Sequence, residues 1–120
     1  MSESRPPITA LRIDYVELPA TDLAAMQSFY GAAFGWTFQS WGEDYASFSN
    51  AGLEGGFRRV DAPPPRGGVL VILFADDLDA AERAVEAAGG EIVERHEFPG
   101  GRRFQFVDPS GNELAVWTKQ

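Results

Sequence analysis

Tyr15-Val16-Glu17-Leu18-Pro19-Ala20-Thr21-Asp22-Leu23, running on through Phe29-Tyr30 to Phe34-Gly35-Trp36, decides the fold, because the same pattern returns at an offset of 55 that sets Asp22 on Asp77. In each copy a short β-branched and apolar run is followed by acidic residues and an apolar stripe. The stripe Leu23, Met26, Phe29, Tyr30 and Ala33 falls on Leu78, Ala81, Ala84, Val85 and Ala88. That spacing predicts an amphipathic helix in each copy. Thr21 or Asp22, and Asp76 or Asp77, have oxygens to accept the free amides of a first turn, while Gly35 and Gly89 or Gly90 suit a left-handed helix end. The strands before the helices align as well, with Val16 and Leu18 matching Val71 and Leu73.

Three strand-like runs follow each helix. The first copy has Thr37 to Trp41, Asp44 to Ser49 and Gly55 to Val60; the second has Glu91 to Glu94, Arg102 to Val107 and Glu113 to Thr118. A second offset of 59 places Gly52 on Gly111, implying a small insertion in the second hairpin. The order strand-helix-strand-strand-strand therefore occurs twice, which predicts an α+β fold of two βαβββ modules. Module one is expected over about 8–60 and module two over about 69–118. Between them Asp61-Ala62-Pro63-Pro64-Pro65-Arg66-Gly67-Gly68 reads as a linker, since proline cannot donate to a sheet ladder and glycine favours turns. With 120 residues, the two modules are expected to form a single domain over 1–120.

Composition narrows the function. A net charge of -8 opposes binding to nucleic acid or anionic membrane, both of which require clustered basic residues. Without cysteine there is no thiolate nucleophile, iron–sulfur cluster or cysteine zinc site. The longest apolar run, Val69 to Ala75, is much shorter than the ~20 residues of a membrane span, and Met1 to Arg5 lack a signal-peptide pattern, so a cytoplasmic location is expected.

Taken together, Tyr15-Val16-Glu17-Leu18-Pro19, Asp22-Leu23, Phe29-Tyr30, Phe34-Gly35-Trp36, Asp77-Leu78-Asp79-Ala80-Ala81, Gly89-Gly90 and Asp108-Pro109-Ser110-Gly111-Asn112 resemble the glyoxalase, bleomycin-resistance and extradiol-dioxygenase (vicinal oxygen chelate) superfamily. The resemblance implies curved sheets around a cup with helices outside, and a homodimer. In metal-dependent relatives two first-strand positions and two last-strand positions supply ligands. The alignment carries these onto Tyr15, Leu70, Gly56 and Ala115, a set in which only the phenol could bind a metal. No metal or other cofactor is therefore expected.

Among candidate site residues, Glu17 shares the expected cup face with Tyr15 and is the candidate general base, its bland alternative being a salt bridge with Arg58. Tyr15, Arg58 and Trp117 are the expected ligand-binding residues, Trp117 falling on Arg58 at the offset of 59. Glu54 and Glu113 read as solvated strand-end carboxylates, and His96 as a hydrated histidine in the polar run Glu94 to Glu97. The leading functional reading is a metal-free cup that sequesters a small aromatic or cationic molecule. The alternative is a lyase, isomerase or dioxygenase with a non-standard active site.

Overall fold

In a computed structural model, residues 11–119 are described. The expected start of module one at about residue 8 and the stretch Met1 to Arg5 lie outside them. The elements are β1 (Tyr15–Ala20), α1 (Leu23–Phe34), β2 (Thr37–Ser40), β3 (Tyr45–Ser49), β4 (Glu54–Arg59), β5 (Val71–Phe74), α2 (Leu78–Ala87), β6 (Glu91–Phe98), β7 (Gly101–Val107) and β8 (Glu113–Lys119). Two four-stranded sheets form, ordered β1-β4-β3-β2 and β5-β8-β7-β6. Each module thus closes its sheet by pairing its first strand parallel to its last, with the rest antiparallel. As an edge strand of the first sheet, β1 can accommodate Pro19, whose missing N–H would leave a gap in a central ladder.

Local chemistry fixes the helix ends. Asp22 and Asp77 each accept a hydrogen bond from the amide three residues on, Ala25 and Ala80, both at 3.0 Å. Gly35 stops α1 in the left-handed conformation, φ 74°, and Gly89 does the same after α2 at φ 102°. Met26, Phe29 and Tyr30 of α1 and Leu78 and Val85 of α2 are buried. They join one core cluster with Phe57 of β4, Phe104 and Phe106 of β7, and Leu114 and Val116 of β8. Within module one Tyr30 stacks on Trp36 at 4.6 Å, and across the modules Phe29 meets Phe106 at 5.8 Å.

Two sequence expectations need correction. β6 runs to Phe98, past the expected end at Glu94, with a register irregularity between Ile92 and Glu94. Its outer half is exposed, so no burial period marks it in the sequence. Glu113 is not a solvated strand end: its side chain is 15% exposed, paired with Arg66 of the linker at 3.5 Å and accepting from Gln105 Nε2 at 2.6 Å. Glu54 is exposed, as expected.

The turn Asp108 to Asn112 of module two docks on module one. Asp108 is 4% exposed and accepts from the Tyr30 hydroxyl at 2.8 Å, the Ser110 and Asn112 amides at 2.9 and 3.0 Å, and Asn112 Nδ2 at 3.0 Å. Asn112 Nδ2 also donates to the Pro19 carbonyl at 2.8 Å, and the Thr21 amide donates to Ser110 Oγ at 2.9 Å. Burial pushes the Asp108 carboxyl above its ordinary pKa, and these hydrogen bonds oppose the shift. Tyr30→Phe is expected to lower the unfolding free energy by about 1–2 kcal/mol, and Asp108→Ala, which orphans several buried donors, by more. Denaturant unfolding with both midpoints unchanged would contradict this reading of the junction.

Candidate functional site

Burial alternates along β1, β3 and β5, separating a core face from an open one. On β1, Val16, Leu18 and Ala20 turn inward, which leaves Tyr15 and Glu17 exposed on the opposite face. The register carries this face across the sheet: Glu17 lies beside Gly56 of β4, and Gly56 beside Ser47 of β3. Tyr45 and Arg58 are likewise cross-strand partners.

The side chains on this open face converge. Tyr45 Oη donates to Glu17 Oε2 at 2.9 Å and lies 2.6 Å from Tyr15 Oη. Arg58 Nε is 3.9 Å from Glu17 Oε1, a loose pair whose side chains are both about half exposed. That pair is the structural role weighed for Glu17 in the sequence. Nearby, Trp41 Nε1 donates to Ser47 Oγ at 3.0 Å. A Cβ placed on Gly56 would lie 2.2 Å from Tyr45 Oη, so the bare glycine is what lets the phenol lie across the strand. Desolvation, then the hydrogen bonds with Tyr15 and Glu17, push the Tyr45 phenol far above the usual tyrosine range. Sequence reasoning missed Tyr45. The only signal was its position one residue into a strand that alternates with the buried Ala46 and Phe48.

Trp117 sits apart from this cluster, in the second sheet. It packs edge-on against Phe74 at 5.3 Å and lies 6.4 Å from Phe98, both rings being substantially exposed. Lys119 Nζ lies 5.9 Å from the Phe74 ring. Across the ladder from Trp117 is Arg103, whose Nε is buried without a hydrogen-bond partner. Tyr15, Glu17 and Arg58 are therefore brought together on the first sheet, while Trp117 lies on the second, and among the described residues no hydrogen bond, ion pair or ring contact links it to them.

Two clefts lie where β1 and β5 run unpaired with each other. One of about 720 Å³ is walled by Val16, Leu18, Phe34, Trp36, Leu73 and Phe74 among others, and its size suits a small organic ligand. Another of about 360 Å³ is bounded by Glu17, Pro19, Gln105, Glu113 and the linker from Pro64 to Gly68. Glu17 lines the smaller cleft; Tyr15, Arg58 and Trp117 line neither. Phe74 belongs both to the larger cleft and to the Trp117 cluster.

The positions at which relatives hold a metal do not fit one here. Tyr15 lies opposite Glu54 and not Gly56, Leu70 falls just before β5, and Gly56 and Ala115 carry no donor side chain. Among the described residues no three His, Cys, Asp or Glu side chains are grouped to hold a metal ion. His96 lies on the edge strand β6 with Nε2 2.7 Å from Glu94 Oε1. No helix among the described residues is long and apolar enough to cross a membrane.

Comparison with known proteins gives the same architecture. Residues 13–117 match the family model described as a glyoxalase-like domain. The anthracycline biosynthesis protein DnrV of Streptomyces peucetius is 33% identical over an alignment covering 88% of this chain and 46% of that protein. The chain thus spans about half the length of this relative. Among solved structures, a fosfomycin resistance protein, FosX, from Listeria monocytogenes superposes with a TM-score of 0.80 at 17% identity, covering 93% of this chain and 96% of that one. TnmS3, an antibiotic binding protein from Streptomyces sp. CB03234, gives 0.70 at 21% identity, covering 95% and 100%. At these identities the two structures speak to the fold.

The chain's tyrosines, Tyr15, Tyr30 and Tyr45, allow the phenol cluster to be read by alkaline titration. Tyr30 and Tyr45 are both raised above 10.0, Tyr30 chiefly by burial. A group with a raised folded pKa stabilises fully below its unfolded value, about 10 for tyrosine, and loses that contribution as pH climbs through the folded value. Stability is accordingly expected to fall above about pH 10. Glu17→Gln, which removes a carboxylate beside Tyr45, should bring one phenolate absorbance step to lower pH; an unaltered titration would contradict the coupling.

Proposed function

The chain belongs to the glyoxalase-like domain family of the vicinal oxygen chelate superfamily, and on that premise we propose that it binds a planar aromatic small molecule, of the anthracycline kind, in a metal-free cup and holds it without transforming it. The observation that carries this reading is the apolar cleft of about 720 Å³, whose wall residue Phe74 continues into the ring cluster of Trp117 and Phe98. Half-exposed aromatic rings grouped on one sheet face are costly to leave in water and offer flat contact area to a planar ligand. The name of the Streptomyces peucetius relative supports the ligand class, and that of TnmS3 supports binding as the activity.

In this reading Trp117, joined to the cleft through Phe74, contacts the ring system of the ligand, while Tyr15 and Arg58, with Glu17 beside them on the first sheet, contact a part of the ligand that extends beyond the cleft, the two modules acting as one domain over the whole chain. The protein works in the cytoplasm as a homodimer. A second chain would cover the exposed Leu11, Ile13 and Val69. The radius of gyration, 16.6 Å against about 14 Å for a globule of this length, is in keeping with faces that await a partner. A second reading, catalysis by a lyase, isomerase or dioxygenase, draws on the hydrogen-bonded chain Tyr15, Tyr45 and Glu17.

Titration with an anthracycline is expected to quench tryptophan fluorescence with a micromolar Kd. Both Trp117→Ala and Phe74→Ala should weaken binding about tenfold or more through loss of aromatic contact. Recovery of the ligand unchanged supports holding over turnover; a chemically altered ligand favours the enzyme. Absence of binding would overturn the aromatic-ligand reading.

A further inference from the structure

The direction of the phenol chain can be read from proton counting. Tyr45 has one hydroxyl proton, and its bond to Glu17 Oε2 uses it, because a carboxylate only accepts. The 2.6 Å link between Tyr45 and Tyr15 must then carry the Tyr15 proton. Tyr15 is left with no proton to give, yet its oxygen keeps acceptor capacity and the residue is 43% exposed. A hydroxyl that donates along a chain toward an anion becomes a better acceptor itself. Arg58, beside the far end of the chain, supplies Glu17 with its counter-charge.

From this chain we infer that the Tyr15 oxygen is a specificity-determining subsite that accepts a hydrogen bond from a hydroxyl or ammonium group of the ligand, with Tyr45 as its positioning residue. The inference rests on the reading that the protein binds a small aromatic molecule extending from the cleft to the first sheet, and adds which chemistry the extending part must carry. A ligand presenting an ether or carbonyl at this point would set acceptor against acceptor. Gly56 is part of the device, since a side chain there would displace the Tyr45 ring and uncouple Tyr15 from Glu17.

Two planar probes, one with a hydroxyl proton and the other with a methyl group in its place, provide the test: 2-hydroxyanthracene and 2-methoxyanthracene, with affinities measured by fluorescence at neutral pH. Wild-type protein is expected to prefer the hydroxyl compound about tenfold, the worth of one hydrogen bond. Tyr15→Phe should abolish the preference. Tyr45→Phe, which releases the Tyr15 proton for donation, should narrow it while the methoxy compound binds at least as well as before; weakening of both probes alike would mark Tyr45 as a packing residue and refute the chain. Equal affinities in the wild type, or a preference that survives Tyr15→Phe, would overturn this inference and leave aromatic binding standing. If neither probe binds up to its solubility limit, the inference falls together with that reading.

Discussion

The carboxylate of Asp108 is almost fully withdrawn from water and accepts four hydrogen bonds, one from Tyr30 in the other module and three from its own turn. A buried carboxylate is tolerated only when its lone pairs are met, so the positions of Tyr30, Ser110 and Asn112 are fixed together. Asn112 spends its two amide protons on Asp108 and on the Pro19 carbonyl. One turn thereby ties the end of β1, the start of α1 and the middle of α1 to the hairpin between β7 and β8. Among the described residues no strand pairs across the modules, and this polar knot, with the shared core and its Phe29 and Phe34 contacts to Phe106, holds one module against the other.

The open faces follow from that arrangement. With the core face of both sheets committed to the helices, period-two alternation sends Tyr15, Glu17, Tyr45 and Arg58 to the other side of the first sheet. On the second sheet it leaves Phe74 and Trp117 together. The two sheets present different chemistries: a proton-ordered polar cluster on one, aromatic area on the other. A ligand spanning both would need a flat apolar body and a polar edge, which is the kind of molecule proposed.

Much of the fold is legible in the sequence because its determinants are short-range. Asp22 and Gly35 bracket α1 within one helix, and the stripe Met26, Phe29, Tyr30 needs no partner to be recognised. The repeat does the same for α2. What the sequence conceals depends on distant register. Tyr45 meets Glu17 across 28 residues and only because Gly56 between them has no side chain. The motif Asp108 to Asn112 is visible as a string, but its partners Tyr30 and Pro19 lie 78 and 93 residues away. The outer half of β6 is hidden for the opposite reason: residues 94–98 are exposed, so no alternation betrays the strand. Of the candidate site residues, strand parity alone puts Tyr15 and Glu17 on one face, whereas the sheet to which Arg58 and Trp117 each belong depends on pairing across the chain.

Amide hydrogen exchange at Ser110 and Asn112 tests the role of the junction most directly. Both amides sit in a surface-type turn yet donate to the buried Asp108 carboxylate. If the junction holds the modules together, they open only with the global unfolding of the core and exchange as slowly as the amides of α1 around Tyr30. Fast exchange at both positions, typical of a solvent-exposed turn, would contradict the account.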